Sequence, residues 1–320
     1  MKNKKIFLSL LLLFISSFFV FAQASVTALT IAPEIGFTNG KIIENVWYVD
    51  VAQTQKAITY TPTTRESRLV WQFKNSFFFG INTGLVINDS LDFSFGIKSS
   101  FRHQCGNMED FDWIDTTDPD KLSKYSIHDN YLEMFYNLDF CFGWIFYLTQ
   151  SKSISLIPRL GLEIQNISFS GEDGWRTYES ENWKIKQFTG TVITYEQTFA
   201  APVLALKADF NFAEHFEALL DFSAVWINTL NCIDVHKIRG ALFNDRIQNA
   251  WKFECEPAFF YKINKNHKVG IKGNISYIPD AYGFTYTSKT ATKPDLGNPP
   301  AIGGTSRFLW SYNLVYVFTL

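Results

Sequence analysis

Long hydrophobic runs are scarce in this chain of 320 residues. Beyond Phe21 no uninterrupted apolar stretch approaches the ~20 residues that a membrane helix needs, which excludes helical spans from everything after the N-terminus. Charge is scarce too, at 19% of residues, and the net value of −2 with a pI near 6.2 gives no basic surface for nucleic acid. Cysteine is limited to Cys105, Cys141, Cys232 and Cys255, which have no metal-ligand spacing. No Gly- or Ser-rich linker and no charge run divides the chain, so no second domain is expected.

What is present first is a secretory signal. Lys2, Lys4 and Lys5 precede an apolar core from Ile6 to Phe21, and Ala22-Gln23-Ala24 offers small residues for cleavage after Ala24. An uncleaved anchor is the competing reading, and the small-residue site favours removal. Residues 1–24 are therefore read as a signal peptide and 25–320 as one domain. The mature part is rich in aromatics, with 32 Phe, 14 Tyr and 9 Trp in the whole chain, yet mean hydropathy is only −0.04. Much apolar surface in short, interrupted pieces points to strands with one greasy face.

The C-terminus makes the period explicit, because Phe308, Trp310, Tyr312, Leu314, Tyr316, Phe318 and Leu320 alternate with Arg307, Ser311, Asn313 and Thr319. Phe216, Ala218, Leu220, Phe222, Ala224 and Trp226 repeat it against Glu217, Asp221 and Ser223, as do Leu91 to Ile97 and Val269 to Tyr277. A soluble sandwich would turn that face inward. An aromatic C-terminal strand, a signal peptide and dyad repeats of about ten residues favour an outer-membrane barrel with the face outward. Short connections at Asn88-Asp89-Ser90, Gln150-Ser151-Lys152, Ala213-Glu214-His215 and Asn264 to His267 alternate with longer polar ones near 51–66, 115–127, 175–188, 239–245 and 289–304. The expected fold is all-β, a ten-stranded antiparallel transmembrane β-barrel projecting above the outer membrane.

Projection follows from strand length. The third strand is expected to run from Leu91 to about Ile114, far beyond the 9–11 residues that cross a bilayer. At ~3.3 Å per residue and a tilt near 45°, Asp110 should stand roughly 40–45 Å above the base of its strand. Asp234, on the seventh strand, reaches almost the same height. Two acidic pairs, Asp110 with Asp112 and Asp234 with His236, thus face each other across the mouth, each couple two apart on a strand and so on one side of it. Isolated, either motif is what any exposed strand end carries; together they suggest chemistry.

The stretch Asn107-Met108-Glu109-Asp110-Phe111-Asp112-Trp113-Ile114-Asp115 resembles a signature of the omptins, ten-stranded outer-membrane endopeptidases, and Asp234-Val235-His236 resembles their second signature. Gly40-Lys41-Ile42-Ile43-Glu44 with Val46 is similar to the family's first strand, and Arg159-Leu160-Gly161-Leu162 to its fifth. The resemblance implies peptide hydrolysis at the outer rim, facing the extracellular side, with Asp110, Asp112, Asp234 and His236 catalytic. A neutral imidazole held by Asp234 would take a proton from water. Asp110 and Asp112 would hold that water and share a proton, so that one titrates high. Peptides or proteins at the cell surface are the expected substrates, with no cofactor and no metal, since one His with scattered carboxylates lacks a zinc ligand set.

Three departures from the family pattern bear on specificity and geometry. Of two acidic groups that would receive a basic side chain before the cut, Glu44 matches one, while the other position is Cys232, so a shallow basic preference is expected. The family's lipopolysaccharide-contacting arginine matches Thr198, so no lipopolysaccharide requirement carries over. Strict alternation from Trp226 would turn Asp234 outward, which demands an extra residue between Ile227 and Ile233. Cys105 and Cys232 fall on one level, but a substrate groove is wider than the ~7 Å between Cα atoms that a disulfide spans, and four free thiols are expected. His103, His128, His215 and His267 are read as ordinary surface or lumen residues. The alternative function is a non-catalytic barrel acting as adhesin or structural protein. A pore is disfavoured because barrels of this size fill with side chains.

Overall fold

A computed structural model describes residues 25–54, 58–115, 117–288 and 295–320, with the side chains of 295–300 left aside. The signal segment lies outside the described residues, as does part of the connection near 289–304. Ten long antiparallel staves form one sheet. They are β1 (Val26–Gln53), β2 (Ile58–Ile87), β3 in two segments (Leu91–Ser100 and His103–Asp112), β4 (Lys124–Trp144) and β5 (Ile154–Tyr178). Then follow β6 (Thr191–Ala213), β7 (Phe216–His236), β8 (Ala241–Lys262), β9 (His267–Ser288) and β10 (Asp295–Thr319). Each pairs with the next, and β10 pairs with β1 from Thr30↔Thr319 to Trp47↔Ile302. Closure satisfies every strand edge, which hydrocarbon demands because it offers no hydrogen bonds.

The greasy face is outward. Tyr312 is 50% exposed while its neighbour Asn313 is 4% exposed, and Phe308, Trp310, Leu314 and Tyr316 follow Tyr312. Inside the short-turn half, charges meet charges: Lys272 pairs with Glu34 at 2.6 Å, Lys252 with Glu254 at 3.1 Å, and Arg159 with Asp221. Buried ions persist only when paired in this way. Above this layer the interior turns apolar. Trp71, fully buried, lies between Phe169 and Tyr195 at ring distances of 5.5 and 5.4 Å and, with Ile42, Met108, Leu230 and Ile247, fills the lumen. That plug is the floor on which the rim stands.

Two of the expected long loops are largely strand. Residues 51–53 belong to β1 and 58–66 to β2, and residues 239–245 contain only the end of a turn before β8 begins at Ala241. The third stave is interrupted at Phe101-Arg102 and ends at Asp112 rather than near Ile114.

Candidate active site

Bulges decide which side chains enter the mouth. On β3 the register slips between Gln104 and Gly106, where Gly106 adopts φ 131°, a conformation that only glycine takes without strain. Cys105 and Met108 are both fully buried on either side of the slip, so Asp110 and Asp112 continue the inward phase of Met108. On β7, Val225 pairs with Val203 of β6 and Asn231 with Thr198, one residue more on β7 than on its partner. Ile227 and Leu230 are both buried, so the extra residue falls at Asn228-Thr229 and turns Cys232 and Asp234 inward.

The rows of the sheet then align the acids. Glu44 pairs with Leu69 and Leu69 with Asp110, one row across three strands. Asp112 is 3.8 Å from Lys124 Nζ. Asp234 is 3% exposed and its Oδ2 lies 2.7 Å from His236 Nε2. A carboxylate accepts only, so Nε2 carries the hydrogen, and Arg239, which donates only, meets the Nδ1 lone pair. Phe243 packs edge-on against the imidazole at 5.3 Å.

Negative charge accumulates here with incomplete neutralisation. Burial, the charges of Asp112 and Asp234 beside it, and incomplete relief from Arg239 and Lys124 hold the Asp110 carboxyl well above the ordinary range. Burial and the charges of Asp234, Asp245 and Asp110 do the same to Glu44. Asp110 Oδ1, Asp234 Oδ1 and Glu44 Oε2 are buried with no hydrogen-bond partner, and the Asp245 carboxyl is buried beside the Thr285 hydroxyl. Groups left so are costly unless water or a ligand fills them.

Sequence reasoning passed over Asp245 and left open whether His128 faces the surface or the lumen. Asp245 is 1% exposed and sits opposite Cys232 across β7 and β8, so the neighbourhood expected to hold Glu44 alone holds a second acid. His128 is 3% exposed, not a surface group; its Nδ1 meets the Asp173 carbonyl and its Nε2 lies 3.0 Å from Ser126 Oγ, on the strand beside Asp110. Burial pulls its imidazole below the usual value. Among the described residues no group of three or more His, Cys, Asp or Glu has metal-site geometry. All four cysteines are free.

A closed ten-stranded barrel with an outward apolar band and an acidic cleft at one end is an outer-membrane β-barrel. Residues 26–316 match the Omptin family, and the chain belongs to it. It is 24% identical over 226 residues to the outer membrane protease OmpP of Escherichia coli K12, covering 68% of this chain and 70% of that one. To the outer membrane protease IcsP of Shigella flexneri it is 27% identical over 275 residues, covering 79% and 81%. The crystal structure of the outer membrane protease OmpT from Escherichia coli superposes with a TM-score of 0.77 at 18% identity, covering 92% and 98%. That likeness is one of fold.

Proposed function

We propose that this protein is an outer-membrane endopeptidase whose cleft faces the extracellular side and hydrolyses peptide bonds with Asp110, Asp112, Asp234 and His236. The observation that carries the reading is the 2.7 Å contact of His236 with buried Asp234, in a cleft that also holds Asp110. Asp234 fixes the ring with Nε2–H toward itself, which leaves Nδ1 as the proton acceptor. A water held by Asp110 and Asp112 gives its proton to Nδ1 as its oxygen bonds to the peptide carbonyl carbon. When the carbon–nitrogen bond breaks, the proton passes to the departing amine. The Asp110 carboxyl, raised by burial and by the charges of Asp112 and Asp234, holds a proton more firmly than an ordinary carboxyl and can donate it to the developing oxyanion.

Glu44, 3% exposed at the base of the cleft, supports a preference for a basic side chain before the cut. Lipopolysaccharide is not required in this reading. Thr198 lies 2.9 Å from Asn166 Nδ2 and 3.3 Å from Glu196 Oε1, and neither of these partners is a cation for a phosphate. Refolded protein incubated with a mixed peptide library, with and without lipopolysaccharide, tests this. Cuts in both arms are expected; absence of cleavage in both would refute the activity, and cleavage confined to the lipopolysaccharide arm would refute the independence.

A further inference from the structure

The cleft has two ends of opposite charge. Around the ring, Asp110 on β3 and His236 on β7 divide the remaining staves into one side with β1, β2, β8, β9 and β10 and another with β4, β5 and β6. Glu44 and Asp245 lie on the first side, on β1 and β8. On the second, the rows of the sheet carry cations: Asp110 pairs with Ser126 and Ser126 with Arg176, while Asp112 pairs with Lys124 and Lys124 with Tyr178. Side chains in one row point to one face, so Arg176 and Lys124 enter the cleft with the acids.

The cations of this end meet around one ring. Arg176 Cζ lies 3.9 Å and Lys124 Nζ 5.3 Å from the centre of the Tyr178 ring, and the charge of Arg239, from the turn across the cleft, also acts on that tyrosine. Their charges are unequally answered. Arg176 is held by Glu181 at 3.1 Å, but Lys124 reaches Asp112 only at 3.8 Å, and Arg239 rests on the His236 imidazole, which carries no negative charge. With 27% of the Lys124 side chain exposed and Arg239 in an exposed turn, both are open to a ligand arriving from solvent.

We propose that Lys124 and Arg239 form a subsite for an acidic side chain of the substrate, and that pairing with its carboxylate draws Arg239 off His236. This rests on the endopeptidase reading above and deepens it. With Glu44 receiving the side chain before the cut on one side of the catalytic pairs, the chain after the cut lies against β4 and β5, so the acidic residue is the first or second beyond the scissile bond. A carboxylate is a stronger partner for a guanidinium than an imidazole nitrogen is, because it is charged and accepts two parallel N–H···O bonds. An acidic substrate thereby uncovers the nitrogen that takes the proton of the attacking water, and the contact that selects the peptide also opens the site.

The test uses refolded full-length protein and peptides with Arg before the cut and either Glu or Gln at the first or second residue after it. The wild type should favour the better Glu peptide over its Gln twin by on the order of three- to tenfold in kcat/KM, a modest factor because the cations are partly exposed. Arg239→Ala should bring that ratio close to unity while quickening cleavage of the Gln peptide, Arg239→Lys should keep much of the ratio, and Lys124→Gln should lower it. A ratio near unity in the wild type, or one unmoved by Arg239→Ala, overturns the proposal. Should the wild type cut no peptide at all, the activity fails separately, and the subsite is judged by titrating Ala-Glu amide and Ala-Gln amide into the wild type while following the His236 ring signals by NMR. Movement with the Glu compound alone, absent in Arg239→Ala, supports it. Equal movement with both, or movement with neither, overturns it. Heat-modifiable migration on a gel reports folding throughout.

Discussion

His236 gives its Nε2 hydrogen to Asp234 at 2.7 Å, and the partner left for its other nitrogen is Arg239. Arg239 follows in the exposed turn between β7 and β8, and its charge also acts on Asp110. Under the proposed mechanism, an arginine therefore stands in the resting site where the attacking water would be. Exposed guanidinium contacts are weak enough to open readily.

Removing that competitor should help. Arg239→Ala is expected to raise kcat/KM several-fold, through a lower KM, when peptides with an uncharged residue before the cut are compared. A loss of rate in this assay would mean that Arg239 serves the transition state instead of blocking it.

The apolar floor should matter for stability more than for chemistry. Trp71 is fully buried between Phe169 and Tyr195, and cutting it to Ala leaves a cavity that a closed barrel cannot collapse. A destabilisation of about 3–5 kcal/mol is expected, read from urea unfolding in detergent.

The acids of the cleft make stability fall with rising pH. Asp245 has an ordinary carboxyl value of 3.8 when unfolded and about 7 when folded, so the folded state holds its proton more firmly. Its contribution is complete below about pH 4 and is lost as pH rises through about 7. Glu44 and Asp110, also raised, act in the same direction. Asp245→Asn should therefore unfold at higher urea than wild type at pH 8, by on the order of a few kcal/mol, and nearly equally at pH 4.

The lipid makes the barrel legible in the sequence. Where strands cross the bilayer the outward residues are greasy, so β10 announces both its period and its face from Phe308 to Leu320. Counting upward from Leu91 and Phe216 places Asp110 and Asp234 at one level without any coordinates. Above the lipid the contrast fades, since both faces meet water or protein polar groups. The hairpin of β1 and β2 around residues 51–66 therefore reads as loop, and so does the start of β8. Asp245 was lost in that misreading. Its signal is the inward pair Asp245 and Ile247, both at most 1% exposed, two residues apart on a strand that polar composition hides. For His128 the reading left surface and lumen open, because nothing in sequence tells a lumen histidine buried against Ser126 from one that faces solvent.

In the proposed mechanism His236, held by Asp234, takes the proton of the attacking water. The most direct measurement is single-turnover cleavage of an arginine-containing peptide by refolded wild type and His236→Ala at pH 7, with folding checked on the same samples. The account expects a loss on the order of 10²–10⁴-fold in the folded variant; a folded His236→Ala protein that cleaves at the wild-type rate would contradict it.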